Sequence, residues 1–282
     1  MPFAFRSLRL RAVFLIQLCT ALSVIFAPLD ARAQHDHDDD DHDDDHHHAP
    51  VHFSHPLFTE SPSPDTKLRL DFIRGVLAHD VSENTFRVEG EYAFSRNVSL
   101  EANVPLTSRS ISGNRTTAVG SGEIALKLAS FAAAAHGVLL GGGVGFGMPT
   151  GNDEKGIGSD HLVEVEPYVD AGWMRGALEL VSFASYSTTT RRNAADEKEE
   201  SLAIAASALY HLSSRFESLV EMETRRALSG AESGDQIVNA GVGVKYHVAR
   251  VRALVVGVGG RIPLTTSREF QSEMILSALY HF

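Results

Sequence analysis

The chain is poor in cysteine. Cys19 is its single cysteine among 282 residues, and it lies in an N-terminal stretch that we expect to be removed. Disulfide bonds, zinc sites built from thiolates and a cysteine nucleophile are therefore excluded.

Positive charge is also scarce. The sequence has 25 lysines and arginines against 36 acidic residues, a formal net charge of −11. Binding to nucleic acid phosphates needs clustered basic side chains, so a nucleic acid partner is not expected. After residue 33 no apolar run reaches about 18 residues, the length at which a transmembrane helix becomes a candidate.

The first 33 residues have the layout of a secretory signal peptide. Arg6, Arg9 and Arg11 precede an apolar stretch, and Ala31-Arg32-Ala33 places small residues at the two positions that determine cleavage. We predict cleavage before Gln34 and a location outside the cytoplasm. The alternative is an uncleaved membrane anchor.

Residues 34–49 form an arm rich in histidine and aspartate. Between residues 35 and 48 only these two residue types occur, including His35, Asp36, His37, His42, His46, His47 and His48. We expect this arm to be disordered and to bind divalent metals, with Zn, Ni, Cu or Co as candidates. The alternative is a solvated acidic tail. Residues 50–65, which contain four prolines, are interpreted as a linker.

From residue 66 to residue 282 the hydrophobic period is two. Twelve segments of roughly ten residues alternate between apolar and polar side chains, the length expected of tilted strands in an outer-membrane barrel. Short connections alternate with longer ones, such as 107–119 and 149–161. We therefore predict an all-β fold: a transmembrane antiparallel barrel of about twelve strands, with both termini in the periplasm of a Gram-negative bacterium.

The C-terminus supports this fold class. Phe282 is the last residue, and Tyr280 lies on the same face of the final segment. A terminal aromatic residue with this alternation is typical of the signal read by the barrel-assembly machinery. That machinery, outer-membrane lipid and lipopolysaccharide are the expected partners, together with divalent metal ions.

Three segments carry a family resemblance. They are residues 55–62 (HPLFTESP), residues 148–161 in an outer loop, and the final Ala-Leu-Tyr-His-Phe. Over residues 51–282 the chain resembles the outer-membrane barrels grouped with the meta-pathway phenol-degradation proteins, which are often called transporters. The resemblance implies an outer-membrane barrel with a transport role, and it assigns no catalytic or binding residue.

The inward face of the predicted barrel carries more acidic than basic side chains. The charges that we expect to face the lumen include Glu89, Glu91, Glu164, Glu166, Asp170, Glu221, Glu223, Lys245 and Arg261. A net acidic lumen favours cations. The alternative is that these charges pair with one another and merely fill the barrel. Inward glycines, such as Gly243 and Gly259, leave space for solute or for the N-terminal segment, although we favour a role in curvature and in close packing of opposite side chains.

No enzymatic activity is expected. The sequence has no His-Ser pair on a strand near the outer rim, and Asp160-His161 is not accompanied by a second Asp-His pair. The strand histidines, His281 among them, are scattered and form no metal set by spacing. We predict a transporter or channel for small solutes, with divalent transition-metal ions captured by the periplasmic arm as a candidate solute. The alternative is a channel for small organic or aromatic solutes with an incidental arm; an enzyme or a purely structural barrel is less favoured.

Overall fold

A computed structural model describes residues 51–77, 81–190, 198–249, 251 and 253–282. The predicted signal peptide and the His/Asp arm lie outside the described residues. Within those residues, no helix has the length and apolar character needed to cross a membrane.

The described chain is built from thirteen strands. The first seven are β1 (Lys67–Val76), β2 (Ser82–Ser95), β3 (Val98–Ile111), β4 (Asn114–Val119), β5 (Glu123–Ser130), β6 (Val138–Gly147) and β7 (Glu164–Arg175). The others are β8 (Leu178–Thr189), β9 (Glu200–His211), β10 (Phe216–Ser229), β11 (Gln236–His247), β12 (Leu254–Pro263) and β13 (Ser272–His281). Short 3₁₀ turns at Ala134–His136 and Asp153–Lys155 interrupt two of the connections.

Twelve of these strands close into an antiparallel barrel. Each pairs with its neighbours in the ring, and β13 returns to pair with β1 in a register that places Lys67 opposite His281. The N–H of Phe282 donates to the carbonyl of Thr66 at 3.0 Å, which ties the two chain ends of the barrel together. Closure pairs the polar backbone groups that lipid cannot hydrate. The predicted barrel of about twelve strands is confirmed.

The strand outside the ring is β4, and it shows that one predicted connection was wrong. We expected residues 107–119 to form a loop, but β3 continues to Ile111 and β4 pairs with its outer end. The two residues between them, Ser112 and Gly113, have φ values of 50° and 85°. Positive φ at both positions suits a tight two-residue hairpin, so this connection extends the sheet beyond the ring.

The alternation of side chains assigns the two faces of the wall. Apolar residues at every second position, such as Leu70, Val104, Val220 and Val258, are exposed on the outside. At the end of the barrel where the chain termini lie, aromatic rings pair on this outer face: Tyr92 with Phe94, Phe216 with Tyr246 and Tyr280 with Phe282. Aromatic girdles of this kind mark the membrane interface in outer-membrane barrels. We call this the terminal end and the opposite one the loop end.

Candidate functional site

The barrel lumen holds the N-terminal segment 51–65. We expected residues 50–65 to be a linker, yet Phe53 is 0% exposed and Leu57 only 2% exposed. Both side chains belong to an apolar cluster with inward residues of the wall, among them Leu139, Leu209 and Ile275. Burial of this apolar area stabilises the docked segment, which narrows the lumen toward the terminal end.

Glycines of the wall provide the space for this segment. A Cβ at Gly243 or at Gly259 would lie 2.6 Å from the Leu57 side chain, and one at Gly172 would lie 2.7 Å from the Phe53 ring. We favoured curvature and close packing of opposite side chains as the role of the inward glycines. Gly243 and Gly259 make room for Leu57 of the N-terminal segment, and Gly172, which the sequence did not single out, makes room for Phe53. The sequence signal was the alternation of glycine on inward positions of β11 and β12.

Carboxylates of the wall hold the backbone of the segment. Glu221 on β10 accepts hydrogen bonds from the N–H groups of Leu57, Phe58 and Thr59 at 2.7, 2.8 and 3.0 Å. Glu179 on β8 accepts from the N–H of Ser54 at 2.9 Å. Charge-assisted hydrogen bonds are stronger than neutral ones, so Glu221 binds the segment as an anion rather than serving only as a charge in the lumen.

Two buried lysines link the segment to the wall. Lys67 Nζ lies 2.9 Å from Glu91 and 3.2 Å from Glu89, while Lys127 Nζ lies 2.5 Å from Glu60 of the segment. Burial raises the pKa of Glu60, but the neighbouring Lys127 and Lys67 lower it, with the result that its pKa lies below the ordinary value. Glu60 is therefore ionised at neutral pH.

A second set of ion pairs runs along the wall, from Glu217 near the terminal end to Arg261 nearer the loop end. Glu217 is 2.8 Å from Lys245 Nζ and 2.5 Å from His247 Nε2, and Arg261 reaches both Glu223 at 2.7 Å and Glu273 at 2.8 Å. Asp170 is buried, and both of its oxygens lack a hydrogen-bond partner among the described residues. Most of the predicted lumen charges thus pair with one another.

A cavity of about 310 Å³ remains on the loop-end side of the segment. Seven carboxylates and four basic groups line it, the acidic ones being Glu60, Glu89, Glu101, Glu123, Glu164, Glu166 and Glu223. The basic groups Arg69, Arg87, Lys127 and Arg225 all have carboxylate partners. A second cavity of about 360 Å³ shares Glu164 and Arg225 with the first and continues toward the loop end.

Three carboxylates are left without a cation. Within the described part of the chain, Glu123, Glu164 and Glu166 form no ion pair. Glu123 lies on β5 and the other two lie on β7, on either side of β6 in the cavity wall. Asn103 donates a hydrogen bond of 3.3 Å to Glu123. The open part of the lumen consequently has more carboxylates than basic groups, and its basic groups are already paired.

The predicted assembly signal lies on the outer face of the terminal end. Tyr280 is partly exposed, and Phe282 is 79% exposed with its ring centroid 5.1 Å from that of Tyr280. Recognition of these residues by an assembly machinery stays a prediction.

Solved structures of outer-membrane channels and porins have a similar fold. No protein-family model and no curated protein matches the sequence. A crystal structure of an outer-membrane channel from Pseudomonas putida F1 is 12% identical, with 82% of this chain and 100% of that chain covered and a TM-score of 0.61. The KdgM porin in complex with disordered oligogalacturonate is 10% identical over 76% and 99% of the two chains, with a TM-score of 0.51. The NanC porin is 12% identical over 77% and 98%, with a TM-score of 0.50.

The chain has the fold of an outer-membrane β-barrel. At these identities the likeness shows the fold alone, so the solute has to be inferred from the residues of the lumen. The resemblance to the meta-pathway phenol-degradation group stays a prediction.

The outer loop at residues 148–163 contains a salt-bridged histidine. His161 Nδ1 lies 2.5 Å from Asp153 and 3.3 Å from Asp160, and all three side chains are exposed. Hydrogen bonds with Asp160 and Asp153 raise the pKa of His161 above its ordinary value. A raised pKa means that the pair stabilises the loop at low pH and is lost as the pH rises through that value.

The fit of Leu57 against glycine can be tested by adding a side chain. We expect Gly243→Val to destabilise the folded barrel by about 1–3 kcal/mol, the usual cost of overpacking, and to expose segment 51–65 to protease. Gly90→Val is the matched control, since a Cβ at Gly90 meets nothing within 4 Å. Unfolding in urea and limited proteolysis measure both effects. Equal behaviour of the two variants would show that the segment does not depend on this contact.

The loop salt bridge predicts a titration. NMR of His161, assigned with a His161→Gln variant, is expected to give a pKa above the ordinary value of about 6.5. Asp153→Asn should lower that pKa, because one of the two carboxylate partners is lost, whereas Glu154→Gln in the same loop should leave it unchanged. An unaltered pKa in Asp153→Asn would contradict the pairing.

Proposed function

We propose that the protein is an outer-membrane channel of a Gram-negative bacterium that passes small solutes and prefers cations. The observation that carries this proposal is the cavity of about 310 Å³, whose basic groups are all paired, whereas Glu123, Glu164 and Glu166 form no ion pair with any residue that the structure describes. Carboxylates lining a narrow pore attract cations and repel anions. The short turns at the terminal end support an orientation with both chain termini in the periplasm.

Within this function we propose divalent transition-metal ions as the solute, captured by the His/Asp arm at residues 35–48. Neutral imidazole suits Zn, Ni, Cu and Co, and the arm directly precedes the segment that enters the lumen. An arm anchored at the terminal end would raise the local metal concentration at the entrance to the pore.

The second candidate is a channel for small organic or aromatic solutes. It rests on the resemblance to the phenol-degradation group and on the apolar side chains of Phe183 and Phe58, which line the same cavity. The carboxylates around these rings favour the cation channel, because an apolar solute gains nothing from passing them.

Planar bilayer recordings test the channel. We expect the refolded mature chain to give small, discrete openings whose reversal potential in a salt gradient indicates cation selectivity. Replacement of Glu123, Glu164 and Glu166 by Gln should reduce this selectivity several-fold, because the unpaired negative charge is removed. Glu154→Gln, an exposed change in an outer loop, is the control. A silent or anion-selective barrel would refute the cation channel.

The role of the arm is tested separately. We expect micromolar Zn, Ni, Cu or Co to change the conductance of the intact chain, and the effect to disappear when the six histidines between residues 35 and 48 are replaced by Gln. That variant keeps the length and the aspartates of the arm, so it separates imidazole ligation from acidic charge. A conductance that responds equally in both proteins would leave the arm incidental, as the organic-solute candidate requires.

A further inference from the structure

Three imidazoles meet one carboxylate oxygen at the terminal end of the lumen. Asp65 Oδ2 lies 3.2 Å from His52 Nε2, 3.2 Å from His55 Nε2 and 2.7 Å from His281 Nδ1. The ring centroids of the three histidines are 5.8–6.1 Å apart, with the planes tilted relative to one another. The four side chains therefore converge on one point, although His281 is more than 200 residues away from the others in sequence.

Asp65 has more hydrogen-bonding neighbours than its Oδ2 atom has acceptor sites. A carboxylate has about four lone-pair sites on its two oxygens, hence about two on each. Oδ1 accepts from the N–H of Thr66 at 2.9 Å, which leaves three imidazole nitrogens around Oδ2. Three donors on one oxygen exceed its two acceptor sites, whereas a single cation shared by the imidazoles and the carboxylate would satisfy all four groups.

The protonation states suit a cation. Burial and the adjacent Lys67 lower the pKa of His55, so this imidazole is neutral. Burial raises the pKa of Asp65, but hydrogen bonds from His281, His52 and His55 lower it further, so the carboxylate is ionised. Imidazole nitrogens and a carboxylate oxygen are the ligand set that zinc and its neighbours prefer.

We propose that His52, His281, Asp65 and His55 form a transition-metal site that fixes segment 51–65 to the C-terminal strand. Ligands about 2.0–2.2 Å from a zinc ion lie roughly 3.3–3.5 Å from one another. The 3.2 Å separations of His52 and His55 from Asp65 are close to that value, these three ligand atoms lie within 4.8 Å of one another, and His281 adjoins them through Asp65. His52 is half-exposed and His281 partly exposed, which gives an ion a path from the terminal end.

The four ligands are not equivalent. Lys67 Nζ donates a hydrogen bond to His55 Nδ1 at 3.2 Å. In the metal-free state His55 therefore carries its proton on Nε2, and this N–H donates a hydrogen bond to Asp65. Coordination through Nε2 moves the proton to Nδ1, and Lys67 then turns to Glu89 and Glu91, which it already contacts. His52, His281 and Asp65 bind without this change, and His55 completes the set.

The site differs from the arm in its dependence on folding. Segment 51–65, β1 and β13 supply its ligands, and only the closed barrel brings them together. The histidines of residues 35–48 are neighbours in sequence and bind metal whether or not the barrel is folded. A ligand stabilises a protein only if it binds the folded chain better than the unfolded one, so metal on the arm leaves the unfolding midpoint unchanged.

Thermal unfolding of the full mature chain in detergent tests the site. We expect Zn²⁺, added in excess over EDTA, to raise the midpoint by several degrees, and Co²⁺ to show the intense visible absorption of a tetrahedral complex. His281→Ala and His52→Ala should each remove most of the shift in midpoint and the component of the absorption that belongs to the folded barrel. His136→Ala, an exposed histidine in a turn of the same end, should retain both.

His52 is half-exposed, so His52→Ala keeps the test decisive even if His281→Ala fails to fold. A midpoint that does not respond to metal, or a shift of equal size in wild type, His52→Ala and His281→Ala, would overturn the site. The measurement is an equilibrium one on the barrel itself. Its result is therefore independent of whether the lumen conducts, and a failed channel proposal leaves it standing.

Discussion

The need to pair every backbone polar group within the protein governs this structure. In lipid an unpaired N–H or C=O costs several kcal/mol, and the chain meets that demand by joining β13 to β1 and leaving no free edge in the ring. Closure of the ring then determines the arrangement of the lumen. It sets which side chains face the lumen, how wide the lumen is, and which distant residues meet there.

Inside the ring, the charged wall and the buried segment depend on each other. Glu221 and Glu179 are deep in a lumen of low dielectric, where an unpaired carboxylate is costly, and the backbone N–H groups of segment 51–65 supply their hydrogen bonds. The segment in turn has no sheet of its own, so the carboxylates satisfy backbone donors that would otherwise be orphaned. Removal of either partner leaves polar groups unpaired in the lumen.

Prediction from sequence succeeded where a local pattern carries the structure. The period of two identified all twelve strands of the ring and their outward faces, because lipid and lumen impose opposite polarity on alternate residues. The same pattern missed β4, a strand of only six residues that we expected to be part of a loop. It also offered no means of recognising segment 51–65, which has no period, as part of the fold.

The residues that meet in the lumen were harder to predict for a physical reason. His281 follows Tyr280 in the ordinary alternation of β13, and nothing near it in sequence indicates that Asp65 and His52 lie beside it. Their proximity arises from the register of β1 against β13, which only the closed ring fixes. The burial of Leu57 in the lumen was equally hard to predict, although the inward glycines of β11 and β12 indicate the space that its side chain occupies.

The long reach of the contacts that hold segment 51–65 sets an order of folding. Ser54 bonds to a residue 125 positions further along the chain, and Leu57 to one 164 positions further along. Contacts that close such long loops form late, after the elements they join. The binding surface for the segment does not exist until β8 to β12 have been synthesised and placed. The first part of the barrel domain to leave the ribosome is thus among the last to reach its native position.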